Sequence, residues 1–86
     1  PTPVDELARI AGVTSRHLLR LFRQELGTTP VQFCLEIRLQ RAHSLILNTT
    51  MALSDIAAAT GFNSRPHMTQ RYRIRYAETP TQTRLN

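Results

Sequence analysis

The stretch LARIAGV at residues 7–13 returns in nearly the same chemical pattern as IAAATGF at residues 56–62. In both copies the pattern ends in a glycine followed by an apolar residue. A second repeated pattern follows, His-Leu-x-x-x-Phe at residues 17–22 and His-Met-x-x-x-Tyr at residues 67–72. Self-similarity at a nearly fixed separation indicates one supersecondary unit that is used twice. The unit is typical of a helix, a tight turn with glycine and a second helix, which is the helix-turn-helix pattern.

Helix start and stop signals predict an all-α chain. Most expected starts carry a Ser, Thr or Asn cap or an early proline, as in Thr2-Pro3, and a glycine such as Gly27 follows three of the expected ends. The expected helices cover about 4–11, 15–26, 30–47, 53–59 and 65–76, with a short turn or helix after Thr79-Pro80. The sequence therefore predicts two helix-turn-helix subdomains, about 4–27 and 53–77, joined by a long linker helix.

The linker helix has a clear start, because Thr29-Pro30 supplies a cap and a first-turn proline and Gln32 occupies the capping-box position. Its expected apolar positions include Phe33, Ile37, Ala42, Leu45 and Ile46. Eighteen residues would span about 27 Å at roughly 1.5 Å each. Adjacent major grooves on one face of B-DNA lie roughly 34 Å apart. The linker could therefore be a spacer between two DNA-reading units; the alternative is an ordinary long core helix.

Length and composition bound the class of protein. Eighty-six residues with 41% hydrophobic content suit one small compact domain. The single cysteine, Cys34, cannot form an internal disulfide, which favours a reducing compartment. No apolar run approaches the roughly 18 residues that span a bilayer, and no secretory signal is present. We therefore expect a cytoplasmic location without a membrane partner.

The charge of the chain favours an anionic partner. The formal net charge is +5 with a pI near 11.1, and all eleven basic residues are arginine. Arginine forks match the geometry of phosphate and of guanine, so nucleic acid is a better candidate than a membrane surface. GC-rich codon usage explains the absence of lysine equally well, so the clustering of the arginines carries more weight than their type.

The second predicted helix has two opposite faces. Its apolar stripe consists of Leu18, Leu21, Phe22 and Leu26. The opposite stripe, which we call the first reading face, consists of Arg16, Leu19, Arg20 and Arg23. An apolar face beside an arginine face is typical of a helix that enters the major groove.

Each member of the first reading face has an expected contact on DNA. Arg20, one turn into the helix, is best placed for a base edge, and Arg16 could contact a base or a phosphate. Arg23 is expected to contact phosphate. Leu19 either meets a thymine methyl group or is an ordinary exposed leucine.

The second reading face follows from an offset of fifty residues. It consists of Arg65, Pro66, Thr69, Gln70 and Arg73. Glutamine favours adenine whereas arginine favours guanine, so we expect two unequal faces that read different half-sites. The alternative is that one face reads sequence while the other only holds phosphate. On the same helix, Arg71 is expected to have a partly buried stem and Ile74 to face solvent, where it could mark a protein-contact surface.

Polar residues are expected at the first turns of both reading helices. Thr14 or Ser15 should cap the first, and Asn63 or Ser64 the second. Helix N-termini also bind phosphate, so backbone contacts to DNA are expected at these four residues.

The chain offers no pattern for metal or catalytic chemistry. One cysteine and three scattered histidines supply no ligand spacing, so we expect no metal, no cofactor and no catalytic site. His17 and His67 are expected to flank the core, and His43 to lie on the surface. Cys34 is expected to be a buried structural residue rather than a nucleophile.

These motifs together resemble the DNA-binding domain of AraC/XylS-type bacterial transcription regulators. The segments that carry the resemblance are VDELA at 4–8, AGVT at 11–14, HLLRLFR at 17–23, LGTTP at 26–30, LSDIA at 53–57, GFNS at 61–64 and Thr79-Pro80. The resemblance implies two helix-turn-helix subdomains inserted into successive major grooves. It also implies a further helix before Val4, a separate ligand-sensing or dimerising domain outside the chain, and RNA polymerase as a partner of an activator.

The resemblance also assigns base-facing positions and exposes departures. The assigned positions are Arg16, Leu19 and Arg20 in the first unit and Arg65, Pro66, Thr69 and Gln70 in the second. Gln70 stands where the family usually has arginine, Ala77 replaces a usual glycine, and Ala52 replaces a usual cap. Pro66 donates no hydrogen bond. These departures predict weaker specificity and lower local stability in the second unit.

Overall fold

The computed structural model describes residues 3–86, and these residues form six α-helices and no strand. The helices are α1 (Pro3–Ala11), α2 (Ser15–Leu26), α3 (Pro30–Asn48), α4 (Leu53–Ala59), α5 (Arg65–Tyr76) and α6 (Pro80–Leu85). Their bounds agree with the sequence expectation to within one residue, and the terminal segment is a helix. Thr2, the expected first cap, lies outside the described residues. The chain divides within α3 into two compact units, one that extends to Leu35 and one from Glu36 to Asn86.

In the first unit, α1 packs on α2 across a tight turn. The Gly12 N–H donates to the Arg9 carbonyl at 3.2 Å, and the Val13 N–H donates to the Ala8 carbonyl at 3.0 Å. Gly12 has a φ of 73°, a left-handed conformation that glycine adopts without a steric penalty. The glycine of the repeat therefore suits the backbone conformation of the turn.

In the second unit, the turn after α4 has the same two hydrogen bonds. The Gly61 N–H donates to the Ala58 carbonyl at 3.3 Å, and the Phe62 N–H donates to the Ala57 carbonyl at 2.9 Å. The next cap is Ser64, two residues after Phe62, whereas Thr14 follows Val13 directly. The second turn is therefore one residue longer, which explains why the repeat changes its offset from 49 to 50 residues.

Both reading helices end in the same left-handed cap. The Gly27 N–H donates to the Arg23 carbonyl with φ at 67°, and the Ala77 N–H donates to the Arg73 carbonyl with φ at 62°. A side chain in this conformation is strained, since Cβ crowds the backbone. The expectation that Ala77 occupies a position suited to glycine is therefore confirmed.

A threonine starts α6 in the way that was expected for α3. The Thr79 hydroxyl accepts from the Gln82 N–H at 3.1 Å, and Gln82 Oε1 accepts from the Thr79 N–H at 2.7 Å, which completes a capping box. The Thr29 hydroxyl accepts from the Gln32 N–H at 3.2 Å. The expected box at Gln32 is incomplete, however, because its side-chain oxygen accepts from the Thr28 hydroxyl instead, at 3.3 Å.

The apolar stripe of α2 is less buried than its periodicity predicted. Leu18 is buried, but 54% of Leu26 is exposed. Helix α1 has nine residues and α2 has twelve, so α1 cannot cover the whole stripe. Phe33, an expected apolar position of α3, is also 39% exposed, although its ring packs edge-on against Phe22 with 5.7 Å between centroids. Ile37 is exposed to a similar extent, at 41%.

The second unit has a fully formed core. Its buried apolar residues are Leu39, Ala42, Ile46, Leu53, Ile56, Ala57, Phe62, Met68, Tyr72 and Pro80. Burying this much apolar surface is the main stabilising contribution to such a small unit. In the first unit, the described buried apolar side chains are only Ala8, Leu18 and Pro30.

A series of side-chain hydrogen bonds lies beside this core in the second unit. The Tyr72 hydroxyl donates to Thr83 Oγ1 at 2.9 Å, and the Thr83 hydroxyl donates to the Glu78 carboxylate. His43 Nδ1 lies 2.9 Å from the Tyr72 oxygen, and the His43 ring stacks on Tyr76. Burial raises the pKa of Tyr72 above its ordinary value. The expectation that His43 lies on the surface is wrong, because these two tyrosines half-bury it.

Candidate nucleic-acid interface

The first reading face is exposed on α2. All four of its members are exposed: Arg16, Leu19, Arg20 and Arg23. Leu18 is buried on the opposite side of the helix, and α2 packs on α1. The helix therefore presents three guanidinium groups and one leucine side chain to solvent within about two turns.

Arg20 is held by a contact within α2. Its Nη2 lies 2.6 Å from Nδ1 of His17, three residues earlier. A guanidinium can only donate hydrogen bonds, so Nδ1 of His17 must be the acceptor and the neutral ring carries its proton on Nε2. This contact goes beyond the expectation that His17 flanks the core, and the i, i+3 spacing to Arg20 is the signal that could have indicated it.

The side chains at the start of α2 are already engaged. The Thr14 hydroxyl accepts from the His17 N–H at 3.1 Å, and the Ser15 hydroxyl donates to Asp5 Oδ1 at 2.6 Å. In α5 the Ser64 hydroxyl accepts from the His67 N–H at 3.2 Å, which settles the cap as Ser64 rather than the exposed Asn63. At the starts of α2 and α5, a phosphate would therefore bind to backbone N–H groups rather than to these hydroxyls.

The second reading face lines a continuous concave surface on α5. Its residues are Arg65, Pro66, Thr69, Gln70 and Arg73, and Ile74 and Ala77 extend the same surface by one turn. Arg65, Gln70 and Arg73 are exposed, and Thr69 is half-buried. The structure therefore brings all five predicted members together, with fewer cations per turn than in the first reading face.

Arg71 and Ile74 lie beside the buried positions of α5. Arg71 is exposed as a whole residue, and its partly buried stem stays a prediction. The buried positions of α5 are Met68 and Tyr72 alone, a stripe too narrow to include the neighbouring position 71. Ile74 is 72% exposed, as expected.

Arg75 is part of the scaffold and not of the reading face. Its Nε donates to both carboxylate oxygens of Glu36 at 2.8 Å, and its guanidinium lies 4.8 Å from the centre of the Tyr76 ring. The hydrogen bond from Arg75 lowers the pKa of Glu36 below its ordinary value and raises the pKa of Arg75. Arg75 therefore has a carboxylate partner, and it links α5 to α3.

Residues 3–86 contain no cluster of three or more histidine, cysteine or acidic side chains that could hold a metal ion. Cys34 is half-buried rather than fully buried as expected. Among the described helices, none is both long and apolar enough to cross a bilayer.

Comparison with known proteins identifies the class of this fold. A family model described as a helix-turn-helix domain matches residues 7–86. The chain is 37% identical over 84 residues to the transcriptional regulator ArgR of Pseudomonas aeruginosa, covering 98% of this chain and 26% of that protein. It is 40% identical over 80 residues to GlxA of Rhizobium meliloti, covering 91% of this chain and 25% of that protein. The fold is thus that of a helix-turn-helix domain of bacterial transcription regulators, and the chain spans about a quarter of the length of these relatives.

Solved structures make the family explicit. An AraC-type DNA-binding domain protein from Chromobacterium violaceum superposes with a TM-score of 0.91 at 41% identity, covering 99% of this chain and 76% of that one. The DNA-binding domain of AdpA, solved in complex with a target DNA, superposes with a TM-score of 0.93 at 25% identity, covering 99% of this chain and 77% of that one. This chain belongs to the AraC-type family of helix-turn-helix domains.

Proposed function

We propose that this domain binds double-stranded DNA in a sequence-specific manner and that its two reading helices, α2 and α5, enter successive major grooves. The observation that carries the proposal is the repetition of one hydrogen-bonded scaffold with an exposed polar face on the second helix of each copy. An α-helix of this kind fits the major groove, where each base pair presents a distinct set of donors and acceptors. The AdpA domain, which has the same fold, was solved on a target DNA.

The two reading faces have different proposed targets. Arg20 contacts a guanine, since an arginine fork matches its O6 and N7 acceptors. Gln70 contacts an adenine through its amide. Arg16, Leu19, Arg65 and Thr69 contribute further base contacts, while Arg23 and Arg73 contact phosphates. The backbone N–H groups at the helix starts, near Thr14, Ser15, Asn63 and Ser64, also contact phosphates.

The domain is proposed to act within a longer regulator. The relatives are about four times as long as this chain, which leaves room for a ligand-sensing or dimerising domain outside it. One relative, VirF of Yersinia enterocolitica, is described as a transcriptional activator. We propose that this chain serves a regulator that also contacts RNA polymerase and that the domain itself catalyses no reaction.

Selection from a random-sequence duplex pool, followed by titration at several salt concentrations, tests the proposed function. We expect a single enriched motif with two conserved blocks. If about five phosphates are neutralised, the logarithm of the binding constant should fall against the logarithm of the salt concentration with a slope of about −4 to −5. Recovery of no motif at moderate salt, or of equal affinity for all duplexes, would refute sequence-specific binding.

A protein-interaction module is the second candidate, because Ile74 is exposed at the end of the second reading face. This candidate predicts that Ile74→Ser weakens binding to a protein partner without changing affinity for DNA. Absence of any retarded band in gel-shift assays on genomic fragments would favour this candidate over DNA binding.

A further inference from the structure

The repeat places a histidine three residues before the central reading residue in both copies. His17 precedes Arg20, and His67 precedes Gln70. The backbone N–H groups of the two histidines make equivalent bonds, to the Thr14 hydroxyl at 3.1 Å and to the Ser64 hydroxyl at 3.2 Å. The two histidine side chains therefore start from matched positions on matched helices.

The two side chains make different contacts. Nδ1 of His17 accepts a hydrogen bond from Nη2 of Arg20 at 2.6 Å. Nδ1 of His67 is buried and has no hydrogen-bond partner among the described residues, and the ring packs edge-on against Phe62 at 5.5 Å. The histidine of the first unit holds its reading residue, whereas the histidine of the second unit packs beside the core.

We propose that His17 is a positioning residue for DNA recognition, because it fixes the guanidinium of Arg20 before DNA arrives. An arginine side chain loses considerable rotamer freedom when it binds a base, and a contact formed in the free protein removes part of that loss in advance. The guanidinium has five N–H donors, and the bond to His17 uses one. Four remain, so Arg20 can still make a two-bond contact with a guanine.

This inference rests on the proposed function, since it assigns a role to His17 in base reading by Arg20. It predicts a selective effect. His17→Phe keeps a flat ring but removes the acceptor, so affinity for the selected duplex should fall about threefold to tenfold, the range expected for one hydrogen bond. His17→Asn keeps an oxygen acceptor on the δ position and should restore part of the affinity.

The matched control is His67→Phe in the second unit. Nδ1 of His67 holds no partner among the described residues, so this change removes no hydrogen bond and should leave the affinity for the selected duplex within about twofold. Thermal unfolding of all variants separates a loss of folding from a loss of positioning.

A double-mutant cycle with Arg20→Ala is the decisive test. We expect His17→Phe to weaken binding to the selected duplex in the wild-type background and to have no further effect in the Arg20→Ala background. Equal losses in both backgrounds, or equal losses for His17→Phe and His67→Phe, would overturn the positioning role while leaving sequence-specific binding intact.

Nitrogen NMR of the free domain tests the contact without DNA. The His17 ring should carry its proton on Nε2, with Nδ1 as the acceptor, and Arg20→Ala should shift the Nδ1 resonance. A ring protonated on Nδ1 would overturn the inference. If the wild-type domain selected no DNA motif at all, the proposed function would fail together with the role of His17, even where the NMR contact was present.

Discussion

The first and second helix-turn-helix units have the same pattern of backbone hydrogen bonds but carry different exposed side chains. Three features occur as equivalent pairs: the turn hydrogen bonds from Gly12 and Gly61, the caps at Thr14 and Ser64, and the left-handed helix ends at Gly27 and Ala77. The exposed faces are not equivalent, since the first presents Arg16, Leu19, Arg20 and Arg23 and the second presents Arg65, Pro66, Thr69, Gln70 and Arg73. The two units therefore share their backbone hydrogen bonds and differ in their exposed side chains.

The cores of the two units differ as well. Met68 and Tyr72 are completely buried in the second unit, and Leu18, the counterpart of Met68, keeps 7% of its surface exposed. Two departures were expected to weaken the second unit: Ala77 at positive φ and Ala52, a helix cap without a capping side chain. Both therefore occur in the unit with the larger described core. Apolar burial can offset a strained cap, because each fully buried side chain contributes about 1.5–3 kcal/mol.

The largest effect on DNA binding should come from replacing the central reading residues, Arg20 and Gln70, with alanine. Arg20→Ala should weaken binding to the selected duplex by about 1–3 kcal/mol and relax the preference at one base pair. Gln70→Ala should cause a smaller loss at a different base pair, because a neutral amide makes weaker bonds than a guanidinium. Competition binding with duplexes changed at single base pairs measures both.

Arg71→Ala is the control for loss of charge on α5, since Arg71 is exposed and lies off the second reading face. It should weaken all duplexes slightly and equally. Equal losses on every duplex for Arg20→Ala would remove the base-reading role from the first face.

An effect of intermediate size on stability is expected from substitutions at the left-handed ends of α2 and α5. Ala77→Gly should stabilise the protein by about 1 kcal/mol, because it relieves a side chain at positive φ. Gly27→Ala should destabilise it by a similar amount. No atom lies within 4 Å of a Cβ built at Gly27, so the loss would come from backbone strain alone. Chemical denaturation of both variants would show opposite shifts in the midpoint; shifts of the same sign would contradict the equivalence of the two ends.

The smallest effect concerns a contact found only in the second unit. Arg75 lowers the pKa of Glu36, so the ion pair contributes its full stabilisation above the unfolded pKa, near the ordinary value of 4.5. That contribution is lost as the pH falls through the lower, folded-state pKa. Glu36→Gln should therefore lower the unfolding midpoint slightly at pH 7 and leave it unchanged well below the folded pKa. An equal difference at both pH values would show that the charge of Glu36 is not involved.

Local chemistry explains why the helices could be predicted. The positions of Gly12, Gly27 and Gly61 and the threonines before Pro30 and Pro80 mark ends and starts that depend on nearby backbone groups alone. The exposed reading faces followed from helical periodicity, since three or four residues separate side chains on one face. These are contacts between residues that are close in sequence.

The contacts and burial that the sequence did not indicate involve residues that are distant along the chain. Glu36 is 39 residues from Arg75, and His43 is 29 residues from Tyr72, so neither pairing leaves a local signal. The spacing of Leu26 along α2 fits the apolar stripe. Whether Leu26 is buried depends on the length of α1, however, and the sequence pattern of α2 says nothing about that length. The contact of His17 with Arg20 is local and could have been predicted from the spacing.

Hydroxyl-radical footprinting of the selected duplex tests the central claim most directly, namely that α2 and α5 occupy successive major grooves. We predict two protected tracts on one side of the duplex, with centres about 10 base pairs apart, and weaker protection of only one tract in Arg20→Ala. A single tract no longer than one half-site, or two tracts on opposite sides of the duplex, would contradict it.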